Sequence, residues 1–158
     1  AIERIREVVK QTESCFFCTA VSLGGNGATR PMSVQQVDEA GTLWFLSASD
    51  SHKNAELKSN PGVRLFFQGS EHSGFLTLTG TATVSTDKGK IGELWKPILK
   101  TWFTGGEDDP RITAIGVSPI GGYYWDNKHG NAVAGIKMLV GAVIGKTLDD
   151  SVEGTLGF

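Results

Sequence analysis

One arginine, one lysine and a set of hydroxyls fall between Thr29 and Lys53, in TRPMSVQQVDEAGTLWFLSASDSHK. Arg30 stands in the first of two strand-like runs. Ser47 and Ser49 end the second, and Ser51, His52 and Lys53 open a helical run. A phosphate monoester is held by such a set: a bidentate guanidinium, a second cation, hydroxyl donors and backbone N–H groups at a helix start. A lysine in a first helical turn opposes the helix dipole, at a cost of roughly a few tenths of a kcal/mol or more unless an anion lies between them. From residue types alone a plainer alternative stands beside this one, in which Arg30 and Lys53 pair with surface carboxylates.

Other constellations carry less. Cys15 and Cys18 form a CxxC, but the motif lies in a strand-like run, where residues three apart point to opposite faces. Zinc would need clustered partners, and His52, His72 and His129 are scattered. Structural cysteines are therefore expected. Glu107-Asp108-Asp109 lacks the glycine-interrupted spacing of a calcium loop and reads as a solvated loop or a helix cap. Trp102-Phe103 and Tyr123-Tyr124-Trp125 sit among glycines and charges. Such aromatics fill cores and interfaces, and they also suit a planar heterocycle. No Ser-His-Asp set, close carboxylate pair, P-loop or GxGxxG is present.

The elements that must position these residues are short. Ile2, Ile5, Val8 and Val9 predict an amphipathic helix over residues 2–11. Cys15–Leu23, Ala28–Val37 and Thr42–Ala48 predict a three-stranded meander turning at Gly24–Gly27 and Glu39–Gly41. Pro31 cannot donate to a ladder, so its strand has an edge or a bulge there. Ser51 can cap a helix over His52–Ser59, which Asn60-Pro61-Gly62 ends. Val63–Gln68 and Phe75–Val84 are further strands, split by a turn at Gly69–Gly74. In the second, Leu76, Leu78, Gly80, Ala82 and Val84 share one face and four threonines the wet one.

Asp87–Phe103 predicts two short helices or one kinked at Pro97. Ile112–Val117 and Gly121–Trp125 predict two strands separated by Pro119-Ile120-Gly121, and Asn131–Ile144 a last helix before a polar, glycine-rich tail. About seven short antiparallel strands with a few helices predict a mainly β protein, a closed or partly open barrel.

The chain has 158 residues, enough for one domain with a proper core, and a net charge of −2. That charge favours neither nucleic acid nor anionic lipid, so any anion site is local. The longest apolar stretch, Ala132–Ile144, is shorter than the about 20 residues that span a bilayer. With two cysteines and no signal-peptide pattern at the start, a reducing cytoplasm is the expected compartment.

From Ile2 to about Gly145 the chain resembles the general stress protein branch of the pyridoxamine 5′-phosphate oxidase-like flavoproteins. The resemblance is carried by TRPM (29–32), LWFLSASDSHKNAELKSNPGV (43–63), TLTGTATV (77–84), LWKPILKTWFTGGEDDP (94–110) and YYWD (123–126). It implies a six-stranded antiparallel split β-barrel over residues 1–145, with 146–158 as a tail. It also implies a homodimer with FMN, or alternatively FAD, at the subunit interface. Arg30, Ser47, Ser51 and Lys53 would hold the flavin phosphate. Pro31, Met32, Phe45 and Leu46 would lie against the ring and ribityl chain, and Trp125 and Trp102 would reach the flavin region, from the same subunit or from the partner. Two departures count against vitamin B6 as substrate. WDNKHGNAVAG (125–135) lacks the arginine-rich run of the true oxidases, and Phe75 stands near the place of a flavin-binding glutamine. The expected activity is flavin-dependent redox chemistry on a small substrate. The alternatives are flavin storage without turnover, or a barrel that binds another ligand such as haem.

Overall fold

The alternation in FLTLTGTATV produces a strand with one buried and one open face, and seven further strand segments build a sheet around it. A computed structural model of the chain describes residues 1–20, 28–70, 74–127 and 151–158. Its elements are α1 (Ile2–Thr12), β1 (Ser14–Thr19), β2 (Thr29–Ser33), β3 (Gln36–Val37), β4 (Leu43–Ala48), α2 (His52–Ser59), β5 (Gly62–Gln68), β6 (Phe75–Ser85), α3 (Lys88–Leu94), β7 (Ile112–Asn127) and β8 (Ser151–Leu156). The Gly24–Gly27 turn, part of the Gly69–Gly74 turn and the helix expected over Asn131–Ile144 lie outside the described residues. None of the described helices is long and apolar enough to cross a membrane.

All strand pairs are antiparallel, in the order β2-β1-β5-β6-β7-β4-β3, with β8 added along β7. The ends of this path, β2 and β3, are consecutive in the chain, linked by Val34 and Gln35. The Val34 N–H bonds Glu13 at 2.9 Å and the Gln35 N–H bonds Trp44 at 2.8 Å. The sheet therefore curls until its two ends meet, which is a split β-barrel; β2 and β3 are one bent strand. The expected meander is corrected here. β2 pairs with β1, but β4 lies at the other end of the path, between β3 and β7.

Three further expectations change. Pro119 does not end a strand, because β7 runs through it on a bulge. Thr79 faces Gly121, Gly80 faces Pro119, and Ile120 is the extra residue. Gly80 permits the close approach, since a Cβ there would lie 2.7 Å from the Ser118 carbonyl oxygen. Ser151–Leu156, within the expected tail, pair with Gly122–Asn127, and Leu156 is buried in the core. Val84 is 43% exposed rather than covered, because the β5 pairing ends at Thr81. The break before Pro97 falls where expected. Asp87 caps α3 by accepting from the Gly89 N–H at 3.2 Å, and a 3-10 turn follows at Pro97–Thr101.

Two apolar clusters result. The barrel interior holds Phe17, Leu43, Phe45, Leu65, Leu78 and Ile115, onto which α1 lays Ile5 and Val8. On the outer face of β4 and β7, Leu46, Ile112 and Ala114 receive Ile91 and Leu94 of α3 and Phe103 beyond the 3-10 turn. That second cluster supplies one wall of the groove described next.

Candidate functional site

Where β2 and β4 part company beyond Gln35, the split leaves a groove of about 610 Å³. Its polar end carries Ser47, Ser51 and Lys53, and its apolar walls Pro31, Met32, Leu46, Leu99, Trp102 and Phe103. Both flanking strands turn an open edge to it. The Thr19 and Val34 N–H groups bond Ala28 and Glu13 across β1–β2 at 2.8 and 2.9 Å. In that phase Arg30 and Met32 direct backbone groups toward β1, and Pro31 and Ser33 direct theirs toward the groove. β2 is an edge strand and Pro31 loses no ladder bond, as its residue type requires. On β4, Trp44 bonds Gln35, so Leu46 and Ala48 face the same open side further along.

Ser47 is the hub of the polar end. The Lys53 ammonium donates to its hydroxyl at 2.8 Å, and that hydroxyl donates to Asn54 Oδ1 at 3.1 Å. Asn54 Nδ2 donates to Thr113 Oγ1 at 2.8 Å, and Thr113 donates to the Ser47 carbonyl at 3.1 Å. The first turn of α2 is thereby fastened to β4 and β7. Ser51 occupies the N-cap position, but its side chain makes no capping bond to α2. Its hydroxyl lies 3.2 Å from that of Ser47 instead. Burial pushes the Lys53 ammonium below its ordinary pKa, the Arg30 guanidinium adds to that, and the Glu56 carboxylate works against both.

Arg30 lies behind this end rather than on the groove lining. Its Nη2 donates to Glu56 Oε2 at 2.7 Å. The carboxylate it meets is buried, not a surface one as the plainer sequence reading has it. Phe45 is likewise off the lining. Its ring is fully buried and packs edge-on to Phe17, with centroids 5.2 Å apart. Trp102 does line the groove and is 67% exposed. Trp125 pairs with Phe75, and Thr113 lies twelve residues back along β7, roughly 40 Å of strand path. Within one chain the structure does not bring Trp125 to the groove.

Sequence reasoning missed Asn54, Glu56 and Thr113. Asn54 and Glu56 share α2 with Lys53 and could have been weighed with it. Thr113 joins through tertiary pairing alone. The CxxC lies on β1 with Cys15 buried and Cys18 half-buried, both free, and burial pushes the Cys15 thiol up to about 12. Asp109 is held by Arg111, whose Nη2 and Nε reach its two carboxylate oxygens at 3.1 and 3.3 Å.

The architecture is that of a split β-barrel with a cleft at its split, cationic at one end and apolar along its walls. A family model described as pyridoxamine 5′-phosphate oxidase like matches residues 1–149, and the chain belongs to that family. It is 29% identical over 105 residues to Protein bli-3 of Neurospora crassa, a match that covers 61% of this chain and 50% of that protein's length. Its fold is similar to that of a candidate general stress protein 26 from Jannaschia sp. CCS1, with a TM-score of 0.79, 22% identity and coverage of 99% and 97% of the two chains. It is also similar to the general stress FMN/FAD binding protein from Xanthomonas citri, with a TM-score of 0.62, 25% identity and coverage of 74% and 82%.

Proposed function

We propose that this chain binds a flavin, FMN with FAD as the alternative, in the groove between β2 and β4. The observation that carries the reading is the polar end, where Lys53 sits at the positive end of its own helix with Arg30 close behind it. That arrangement is costly without an anion and favourable with one. The groove volume falls within the roughly 300–1,000 Å³ of small-molecule sites. The open edges at Pro31, Ser33, Leu46 and Ala48 suit a ring bearing both donors and acceptors. Family membership and the likeness to the Xanthomonas citri protein support a flavin in particular.

When bound, a flavin supplies reversible electron and hydride transfer, and the protein's share is to bind and orient it. Lys53, the hydroxyls of Ser47 and Ser51 and the first N–H groups of α2 would hold the phosphate. Trp102 and Phe103 would shield the ring from water. A second copy of the chain completes the site in this reading. It would bring the Trp125 that one chain cannot, and it would cover an outward row of Phe16, Phe66, Thr77 and Tyr123 that crosses β1, β5, β6 and β7. In that row Phe16 is 57% exposed and Tyr123 44%.

The test is reconstitution of the purified protein with FMN, read by visible absorption and fluorescence quenching. Failure to bind FMN or FAD overturns the proposal, and a Soret band would favour haem. A flavin-dependent oxidoreductase acting on a small substrate is the activity proposed. One observation favours storage instead: among the described residues lining the groove, Lys53 is the single titratable side chain. Bleaching of the bound flavin by a reduced nicotinamide separates turnover from storage.

A further inference from the structure

Glu56 has no part in the reading above, yet it is 1% exposed. A carboxylate is tolerated at such depth only with charged and hydrogen-bonded partners. Its Oε2 accepts from the Thr19 hydroxyl at 2.6 Å and from Arg30 Nη2 at 2.7 Å. One helical turn separates it from Lys53, and its field supports the Lys53 ammonium while that of Arg30 opposes it. Among the described residues, Arg30, Lys53 and Glu56 are the charged groups these observations bring together at one end of the groove, and the three charges sum to one positive rather than two. Arg30 stands on the edge strand β2, which among the described residues has a neighbouring strand on one side alone. Glu56 ties its guanidinium to α2.

We propose that Glu56 is a positioning and charge-setting residue of the anion end, holding Arg30 beside the start of α2 and limiting the side-chain charge there to one. The helix terminus adds about half a charge, so the end presents about +1.5 to its ligand. A phosphate monoester carries about −1.5 to −2 near pH 7, so the two nearly balance. The ligand class is accordingly a terminal phosphate monoester, and the inference rests on the phosphate reading of the groove.

Comparing FMN with riboflavin isolates the phosphate, because changes at the ring cancel in the ratio of their affinities. Glu56→Gln keeps the size and the acceptor but removes the charge. It should raise the FMN:riboflavin affinity ratio by about tenfold, as expected for one unit charge a few Å from an anion in a partly hydrated site. Glu56→Asp keeps the charge but withdraws it from Arg30, and should lower the ratio below that of the wild type. A buried residue with a purely structural role would move both affinities together, so an unchanged ratio in folded Glu56→Gln overturns the proposal. If that variant does not fold, an unchanged ratio in Glu56→Asp does so. Inorganic phosphate, read as the rise in Tm, keeps two failures apart. If the wild type binds no flavin but phosphate protects Glu56→Gln more than the wild type, the flavin reading falls and the charge assignment stands.

Discussion

The Lys53 ammonium donates to the Ser47 hydroxyl across 2.8 Å, which joins the positive end of α2 to the end of β4. The cation raises the energy of its own helix and gains a neutral partner, so replacing it should separate binding from stability. Lys53→Ala is expected to weaken FMN binding by about 1.5–3 kcal/mol, the worth of a hydrogen bond to a charged group. The Tm without ligand should hold, because removing a first-turn cation restores about 0.3–1 kcal/mol. Flavin titration and thermal melts of the same sample check both. An unchanged FMN affinity would sink the phosphate assignment.

Arg30 behaves differently because a buried carboxylate depends on it. Arg30→Ala is expected to weaken FMN binding and also to destabilise the fold by about 3 kcal/mol, the cost of leaving Glu56 without its cation. Urea unfolding measures the loss. Adding Glu56→Gln to Arg30→Ala should recover much of the stability and, because the side-chain charge returns to one, part of the FMN affinity; no recovery of stability would mean that the pair does not couple.

The Phe45 ring is buried in the barrel core and does not line the groove. Phe45→Leu should cost roughly 1–2 kcal/mol through the lost ring contact with Phe17 and imperfect refilling. FMN affinity of the folded protein should stay near that of the wild type. A large affinity loss at unchanged Tm would place this ring against the ligand after all.

The Arg111 hydrogen bonds hold the Asp109 carboxyl down to about 2. An unfolded aspartate titrates near 3.9, so the folded state favours the ionised form, and this contribution is full above about pH 5 and lost as pH falls through about 4 to 2. Melts of the wild type and Asp109→Asn should differ by a constant amount above about pH 5 and converge only below about pH 2. Curves that stay parallel to the acid limit would remove Asp109 as the cause.

Sedimentation of the wild type is expected to give a dimer. Phe66→Glu places a charge in the outward aromatic row and should shift the protein toward monomer while weakening flavin binding. A monomeric wild type that binds FMN fully would remove the shared site.

Much of the polar end was legible because it is local. Ser47, Ser51 and Lys53 lie close in the chain, and a helix start brings such neighbours together whatever surrounds it. Pro31 announced its edge strand through a missing N–H. The strand partners were not legible in the same way. Nothing in Ala28–Val37 shows that the chain bends at Val34-Gln35 to join the two ends of the sheet, so a meander is the natural expectation. Pro119 reads as a breaker because the sequence does not show that Gly80 faces it and makes room for a bulge. Phe45 could have been placed by period-two alternation, since it shares a face with the buried Leu43.

The two-residue link at Val34-Gln35 couples the groove to the closure of the sheet. The groove lies between β2, at one end of the strand order, and β4, next to the other end, so its shape depends on the two ends of the sheet staying together. A ligand that bridges the two edges acts as a clasp on the finished barrel. It would hold the split closed, and its protection would grow with its free concentration relative to Kd.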